Sequence, residues 1–402
     1  MIVTTLEGQK NLPRYFSQVF TIAKRGENGR IDFILNDGRI FRAEGPNEGP
    51  TCEVQVHDHG VFARLLREGQ LGFCDAYLEG QWSSPDLQAF MDYFHADNDV
   101  VFESFPGQKL IQLYERFRFF LQRNSKDQAR KNISYHYDLG NDFYGLWLDE
   151  SMTYSSAIFE TGKESLKQAQ AKKYASMIDQ MGVKAGEHVL EIGCGWGGFA
   201  EYAAKERGLK VTCLTISEEQ FKYAHERIDK AGLQDMVKFK LQDYRDETGV
   251  YDGIASIEMF EAVGEQYWPE YFSTVRDRLK PGAQATLQII TVQNKNFETY
   301  RKSVDFIQKY IFPGGMLPSL NVLGEQVSKA GLKVEKTIAF GESYSQTLRQ
   351  WHDVFNRKWD KVVTMGFDER FRRMWNFYLT SCAATFNYGN CDVIQITISK
   401  PN

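Results

Sequence analysis

The chain has 402 residues, 42% hydrophobic, 25% charged and 14% aromatic, with a formal net charge of −5. That is the composition of a globular protein long enough for two domains, and its acidic balance argues against general nucleic-acid binding, so no nucleic-acid partner is expected. The six cysteines show no close-paired spacing, which argues against a disulfide framework or a zinc site and suits a reducing cytosol. The first residues lack the basic and apolar regions of a signal peptide, and no apolar run reaches the roughly 18 residues of a membrane span.

Residues 1–107 read as a smaller α+β domain. Asn36-Asp37-Gly38 between the runs 29–35 and 39–42 predicts a β-hairpin. Residues 61–67 predict an amphipathic helix, and the glycine- and aromatic-rich stretch 71–82 predicts packing around a turn. His57 and His59 lack further ligands nearby and read as loop residues rather than a metal site. Residues 108–134 form a basic helical linker. Lys109, Arg116, Arg118, Arg123, Lys126, Arg130 and Lys131 face only Glu115 and Asp127, and Leu110, Leu113, Phe117, Phe120 and Leu121 give an apolar face. Two explanations stay open: a solvated helix packed between domains, or a surface that meets anionic phospholipid.

The aromatic stretch 135–159 precedes a helix over 164–182, with Leu166, Ala169, Tyr174, Met177 and Ile178 on its apolar side. Next comes His188-Val189-Leu190-Glu191-Ile192, short and apolar like a buried parallel strand. Gly193, Gly195, Gly197 and Gly198 follow at once, and helical character resumes at Phe199. Strand, glycine turn and helix start make a cradle in which backbone approaches a ligand closely. Gly193, Gly195 and Gly198 satisfy G-x-G-x-x-G, but a dinucleotide site also wants an acid at the end of the next strand. That strand, 210–217, ends in hydroxyls. With Glu191 ahead of the glycines, the turn instead resembles motif I (E-x-G-x-G-x-G) of the S-adenosylmethionine (SAM) methyltransferases.

Further strands are predicted at 237–242, 251–257 and 283–292, with helices near 218–231 and 267–279, so the sheet is parallel with right-handed crossovers. A ligand belongs at the strand carboxyl ends, where Thr215, Ser217, Gln220, Gln242, Asp243, Tyr244, Glu258 and Glu261 converge. Beyond 292 the alternation breaks. A helical insertion over 297–312 ends at Pro313-Gly314-Gly315; a strand at 332–339, helices at 345–359 and 369–386, and a closing strand at 391–399 follow.

Eight blocks then carry a more specific resemblance: YHYDLGNDFY, MTYSSAIF, VLEIGCGWGG, LTISEEQ, QDYRD, IEMFEAVG, KYIFPGGMLPS and SYSQTLRQW, in that order from Tyr135 to Trp351. Together they resemble the cyclopropane-fatty-acid synthases and the related mycolic acid methyltransferases; GFCDAYLEGQW resembles the N-terminal domain of bacterial members. The resemblance implies an α/β fold, with a Rossmann-like, mostly parallel sheet and helical insertions over 135–402. It implies SAM held by Tyr154, Ser155, Glu191, Gly193, Gly195, Thr215, Ser217, Gln220, Gln242 and Asp243. It implies methyl transfer to a cis double bond of an unsaturated phospholipid acyl chain by a cytosolic, peripheral membrane enzyme, with a homodimer as the expected assembly. Methyl transfer to an alkene leaves a carbocation, which aromatic faces stabilise and water would trap. Tyr137, Phe143, Tyr144, Phe260, Tyr310 and Phe312 are candidate pocket walls, each also explicable as core.

A base must then remove a proton. In the family a bound bicarbonate does so, held by a Cys, a Glu, a His, an Ile backbone and a Tyr. The Glu, Ile and Tyr correspond to Glu261, Ile290 and Tyr344. The Cys is Ser156 here, and the His is Gln288. These departures put bicarbonate and ring closure in question. A cyclopropane chain is the default product; a methyl-branched unsaturated or methylene chain is the alternative. A small-molecule methyltransferase and a non-catalytic lipid-binding protein are the other classes considered.

Overall fold

The computed structural model describes residues 2–96, Arg116 and residues 139–402. Apart from Arg116 the basic linker lies outside the described residues, as do Tyr135 and Tyr137. Contacts divide the chain into two units. The first comprises Met1–Arg118, Ser303–Ile311 and Val363–Asn390; the second comprises Phe119–Lys302, Phe312–Val362 and Cys391–Asn402. The sequence placed both of the later first-unit segments in the domain beginning at 135.

The first unit holds a five-stranded sheet in the order β1-β3-β2-β4-β5, from β1 (Ile2–Val3), β2 (Asn28–Ile34), β3 (Ile40–Glu44), β4 (Asn47–Val56) and β5 (Trp82–Ser83). β2 and β3 pair antiparallel across the predicted Asn36-Asp37-Gly38 turn, where Gly38 has φ 83°. Phe16, Phe20, Phe41 and Phe62 pack edge to face or tilted beneath them. The predicted turn over 71–82 is instead mostly helix. The helix Gly60–Leu78 runs through it, bending at Gly69, and stops two residues before Gly80. Burial of Phe73, Cys74, Ala76, Tyr77 and Leu78, with Phe73 stacked on Trp82, outweighs the poor helix propensity of Gly72. The helix Glu369–Asn387 completes this unit: Phe377 packs on Tyr77 and Phe306, and Arg373 lies over the Tyr77 ring.

The second unit is built on seven strands, β6 (His188–Ile192), β7 (Lys210–Thr215), β8 (Val237–Leu241), β9 (Tyr251–Ile257), β10 (Leu279–Val292), β11 (Lys333–Ala339) and β12 (Cys391–Ser399), in the order β11-β12-β10-β9-β6-β7-β8. All neighbours are parallel except β12, which runs antiparallel to both β10 and β11. The interior strands are apolar on both faces because helices cover both. Leu190, Ile192, Ile254, Leu287 and Ile396 enter one core; Val189, Val211, Cys213 and Ala255 enter the other with Met177 and Ile178. The helix Leu166–Met181 starts at a capping box of Ser165 and Gln168 and ends at Gly182 in the left-handed region.

The predicted helix over 297–312 is two short helices, Phe297–Tyr300 and Phe306–Tyr310. Asp305 interrupts it by accepting from the Gln308 amide at 2.8 Å, which starts the second helix afresh. The helix Leu320–Lys329, capped by Ser319, has no counterpart in the sequence prediction.

Candidate active site

β6 is the strand from which the sheet grows both ways, with β7 on one side and β9 on the other. Loops leaving the carboxyl ends of β6 and β9 therefore diverge, which opens a crevice at this switch point. Gly193, Gly195 and Gly197 have φ of 81°, 51° and 82°, values that L side chains rarely adopt. At Gly193 a Cβ would stand 2.6 Å from Met259 Cγ, and at Gly198 it would stand 2.7 Å from the Tyr174 hydroxyl. Gly195 differs, since no described atom lies within 4 Å of its missing Cβ. The loop is thus packed from behind and open at Gly195, as a backbone cradle for a ligand must be.

Glu191 on β6 is buried and accepts from the Cys213 thiol at 3.4 Å; burial pushes its carboxyl up to about 8. At the end of β7 the Thr215 hydroxyl donates to Gln220 Oε1 at 3.0 Å, and Ser217 caps the next helix. At the end of β8 Gln242 donates to Glu247, and Asp243 holds Arg245 through two oxygens. The hydroxyls, amides and carboxylate that the sequence assigned to one ligand do lie along the carboxyl edge of β6, β7 and β8. No acid ends β7, as a dinucleotide ribose would require.

The end of β9 carries two carboxylates. Glu258 follows the last strand residue and sits at φ 47°, a left-handed backbone that costs a non-glycine residue about 1–2 kcal/mol. Its Oε1 accepts from the Ser156 amide at 2.8 Å and from Gln288 Nε2 at 2.8 Å, and its Oε2 accepts from the Tyr344 hydroxyl at 2.6 Å. The Gln288 amide is held the right way round because its Oε1 accepts from Gln395 Nε2 at 3.2 Å. Burial raises the Glu258 carboxyl above its ordinary value, opposed by the Tyr344 bond, the charge of Lys173 and the bonds from Gln288 and Ser156. Glu261 is held differently. One oxygen accepts from the Ile290 amide at 2.5 Å, and Oε2 meets no hydrogen-bond partner among the described residues. Burial first, and the charge of Glu258 second, push Glu261 up to about 8, so it carries a proton at neutral pH.

The five residues carried over by resemblance therefore fall into two groups, three on Glu258 and two paired with each other. Ser156 acts through its amide; its hydroxyl turns away to the Ala157 carbonyl at 2.9 Å. Sequence reasoning noted Glu258 as one strand-end polar residue among several and gave it no role. It also missed Lys173, fully buried and donating to Ser155 Oγ at 2.7 Å, with its amine pushed down to about 7 by burial. The signal was available, because Lys173 is four residues from both Ala169 and Met177 and so shares their apolar face.

The aromatic candidates also divide. Tyr144 packs tilted on Trp196 of the glycine loop at 5.0 Å and on Tyr154 at 5.4 Å. Tyr154 meets Trp351 at 5.4 Å and Phe312 at 6.5 Å, and Trp351 meets Tyr344 at 6.3 Å. A wall of rings thus links the glycine loop to the hydroxyl that holds Glu258. Phe143 is buried behind it against Tyr144 and Trp147. Phe260 is core, stacked on Trp268 at 5.4 Å. Tyr310 belongs to the first unit, where its hydroxyl donates to Asp75 at 2.5 Å.

Fold and site together define the class: an enzyme that uses S-adenosylmethionine to methylate. The chain belongs to the mycolic acid cyclopropane synthetase family, whose pattern matches residues 124–396. It is 38% identical over 380 residues to the tuberculostearic acid methyltransferase UfaA1 of Mycobacterium tuberculosis, covering 92% of this chain and 88% of the relative. It is 34% identical over 359 residues to the cyclopropane-fatty-acyl-phospholipid synthase of Escherichia coli, covering 88% of this chain and 89% of that one. The crystal structure of mycolic acid cyclopropane synthase CmaA1 complexed with SAH and CTAB superposes with a TM-score of 0.63 at 29% identity, covering 67% of this chain and 98% of the other. Coclaurine N-methyltransferase, at 17% identity and a TM-score of 0.65, shares the fold.

Proposed function

We propose that the protein methylates the cis double bond of an unsaturated phospholipid acyl chain at a membrane surface, through a carbocation that then loses a proton. The observation that carries this is the ring wall of Tyr144, Tyr154, Trp196 and Trp351 running from the glycine loop to the Glu258 cluster. Bound at that loop, S-adenosylmethionine supplies an electrophilic methyl group. Gly193 and Gly195 would bring backbone to its amino-acid end, and Tyr154 and Ser155 would contribute alongside. Thr215, Ser217 and Gln220 would offer hydroxyls and an amide to the ribose, and Gln242 and Asp243 stand further along the edge. The alkene uses its π pair for the new C–C bond, and the neighbouring chain carbon becomes cationic. Tyr154 and Phe312 present faces that stabilise such a cation and exclude the water that would trap it.

Loss of a proton from the transferred methyl closes a cyclopropane, the outcome that the family description supports. Loss from the chain instead leaves a methyl-branched alkene or a methylene group. Ser156 and Gln288 in place of the family's Cys and His, and the 38% identity to a tuberculostearic acid methyltransferase, favour this second product. The test is incubation with methyl-labelled SAM and vesicles of a monounsaturated phospholipid, then mass spectrometry of the acyl chains before and after mild hydrogenation. A ring takes up no hydrogen and an alkene does. Vesicles left without label would sink the proposal.

A further inference from the structure

The family places a free bicarbonate between its Cys, Glu, His, Ile and Tyr. In this chain that group has no claim on the donors, because they are already engaged. The Ser156 amide, Gln288 Nε2 and the Tyr344 hydroxyl all donate to the Glu258 carboxylate, at 2.8, 2.8 and 2.6 Å. The Ile290 amide donates to one oxygen of Glu261 at 2.5 Å, which leaves Glu261 Oε2 as the one atom of the group without a partner among the described residues.

From this geometry we infer that Glu258 is the general base of the reaction, a carboxylate tethered to the chain in the place of an exchangeable anion, and that turnover needs no bicarbonate. The inference rests on the proposed lipid methylation and goes beyond it by naming what takes the proton.

Three features support the assignment. The first is geometric: Glu258 follows β9 directly, at φ 47°. Only with the chain turned into the left-handed region does this residue leave the strand line and reach donors from three separate segments. An exposed surface glutamate would have no reason to hold such a backbone. The second is the buried hydrogen-bond chain behind the donors. Gln395 fixes the Gln288 amide at 3.2 Å, and Ser176 donates to Gln395 at 2.7 Å. An amide oriented from behind presents N–H, not C=O, to the site, which suits a carboxylate and rejects a second acceptor. The third is the contrast with Glu261. Its raised carboxyl is neutral when Glu258 is charged, and Glu258 has Lys173 for a nearby cation. The two acids thus sit in different surroundings, Glu258 opposed in its upward shift by three donors and Lys173, and Glu261 by the Ile290 amide alone among its neighbours.

The step balances without another reactant. The alkene pair forms the C–C bond to the incoming methyl, and the C–S pair stays on sulfur. Glu258 takes one proton. The electrons of that C–H bond close the ring if the proton comes from the methyl, or form a double bond if it comes from the chain. The proton passes from Glu258 to water after product leaves.

The test uses the full-length protein with SAM and vesicles of palmitoyl-oleoyl phosphatidylethanolamine in buffer stripped of carbon dioxide. Wild-type turnover is expected to be unchanged when bicarbonate is added. Glu258→Gln keeps the shape but not the basicity and is expected to lose about 100-fold or more of the turnover while binding SAM as tightly as wild type. Glu258→Gly suits the left-handed backbone, frees the three donors, and is expected to regain turnover when bicarbonate or formate is supplied. Wild-type turnover that depends on bicarbonate, a Glu258→Gln variant near wild-type rate, or a SAM-binding Glu258→Gly variant that neither anion rescues would each overturn the inference. No labelled lipid from wild type in either buffer would overturn the lipid methylation itself, and the base with it.

Discussion

Glu258 and Glu261 are three residues apart, yet the protein gives them opposite characters. Glu258 accepts from three donors; Glu261 accepts from one and lies beside a like charge. The linkage of Glu261 to stability has a definite sign. Its carboxyl is raised from 4.5 to about 8, so the folded protein holds a proton that the unfolded chain gives up. Folding is therefore progressively disfavoured by this group as pH rises through that window, and the full penalty stands above it. Glu261→Gln keeps an acceptor for the Ile290 amide and removes the ionisation. Its melting temperature relative to wild type should rise between about pH 5 and about pH 9, as followed by circular dichroism. An equal difference at both pH values would show that Glu261 is not held neutral.

How far the site was legible can be judged residue by residue. Glu191, Gly193 and Gly195 were plain because their spacing is local and only a glycine turn explains it. Glu258 was not, since its donors are 102, 30 and 86 residues away in the chain. Choosing it over Glu261 requires the turn after β9, a backbone conformation that no local pattern announces. Lys173 hid for a simpler reason: a lysine on an apolar helix face usually carries its amine out to solvent, and here the amine stays inside with Ser155.

Among the elements, the parallel strands were the most legible. β6, β7, β9 and the second half of β10 are mostly buried and read as largely apolar runs. Long-range packing was the less legible part, as the helix that resumes after the break at Gly69 and continues through Gly72 shows. The β6 turn gives the sharpest prediction at this scale. Gly193→Ala places a Cβ 2.6 Å from Met259 in a left-handed backbone and pushes on the turn that carries Glu258. It should cost about 1–3 kcal/mol of stability and weaken SAM binding, measured by denaturant unfolding and by calorimetric titration. Gly195→Ala shares the strain but meets open space, so its loss should fall chiefly on SAM affinity. Equal affinity losses in the two variants, with stability intact in both, would refute the distinction.

For the whole molecule, no helix among the described residues is long and apolar enough to cross a membrane. The two explanations of the basic stretch over 108–134, a helix packed between domains or a surface for anionic phospholipid, both fall on residues that, apart from Arg116, lie outside those described. The order of the chain through its two units sets a further condition. Val363–Asn390 belong to the unit that contains the first residues, and Cys391–Ser399 supply β12, the strand between β10 and β11 of the other.

A ribosome delivers this protein from its amino end, and nothing released before the final stretch is finished in either unit. The opening segment emerges without the helix that covers Tyr77, and the seven-stranded sheet waits for its inserted antiparallel member. A stop codon after Val362 should therefore abolish both, giving a chain readily cut by protease throughout rather than one intact unit and one broken. Recovery of a protease-resistant amino-terminal fragment from that truncation would refute this order of assembly.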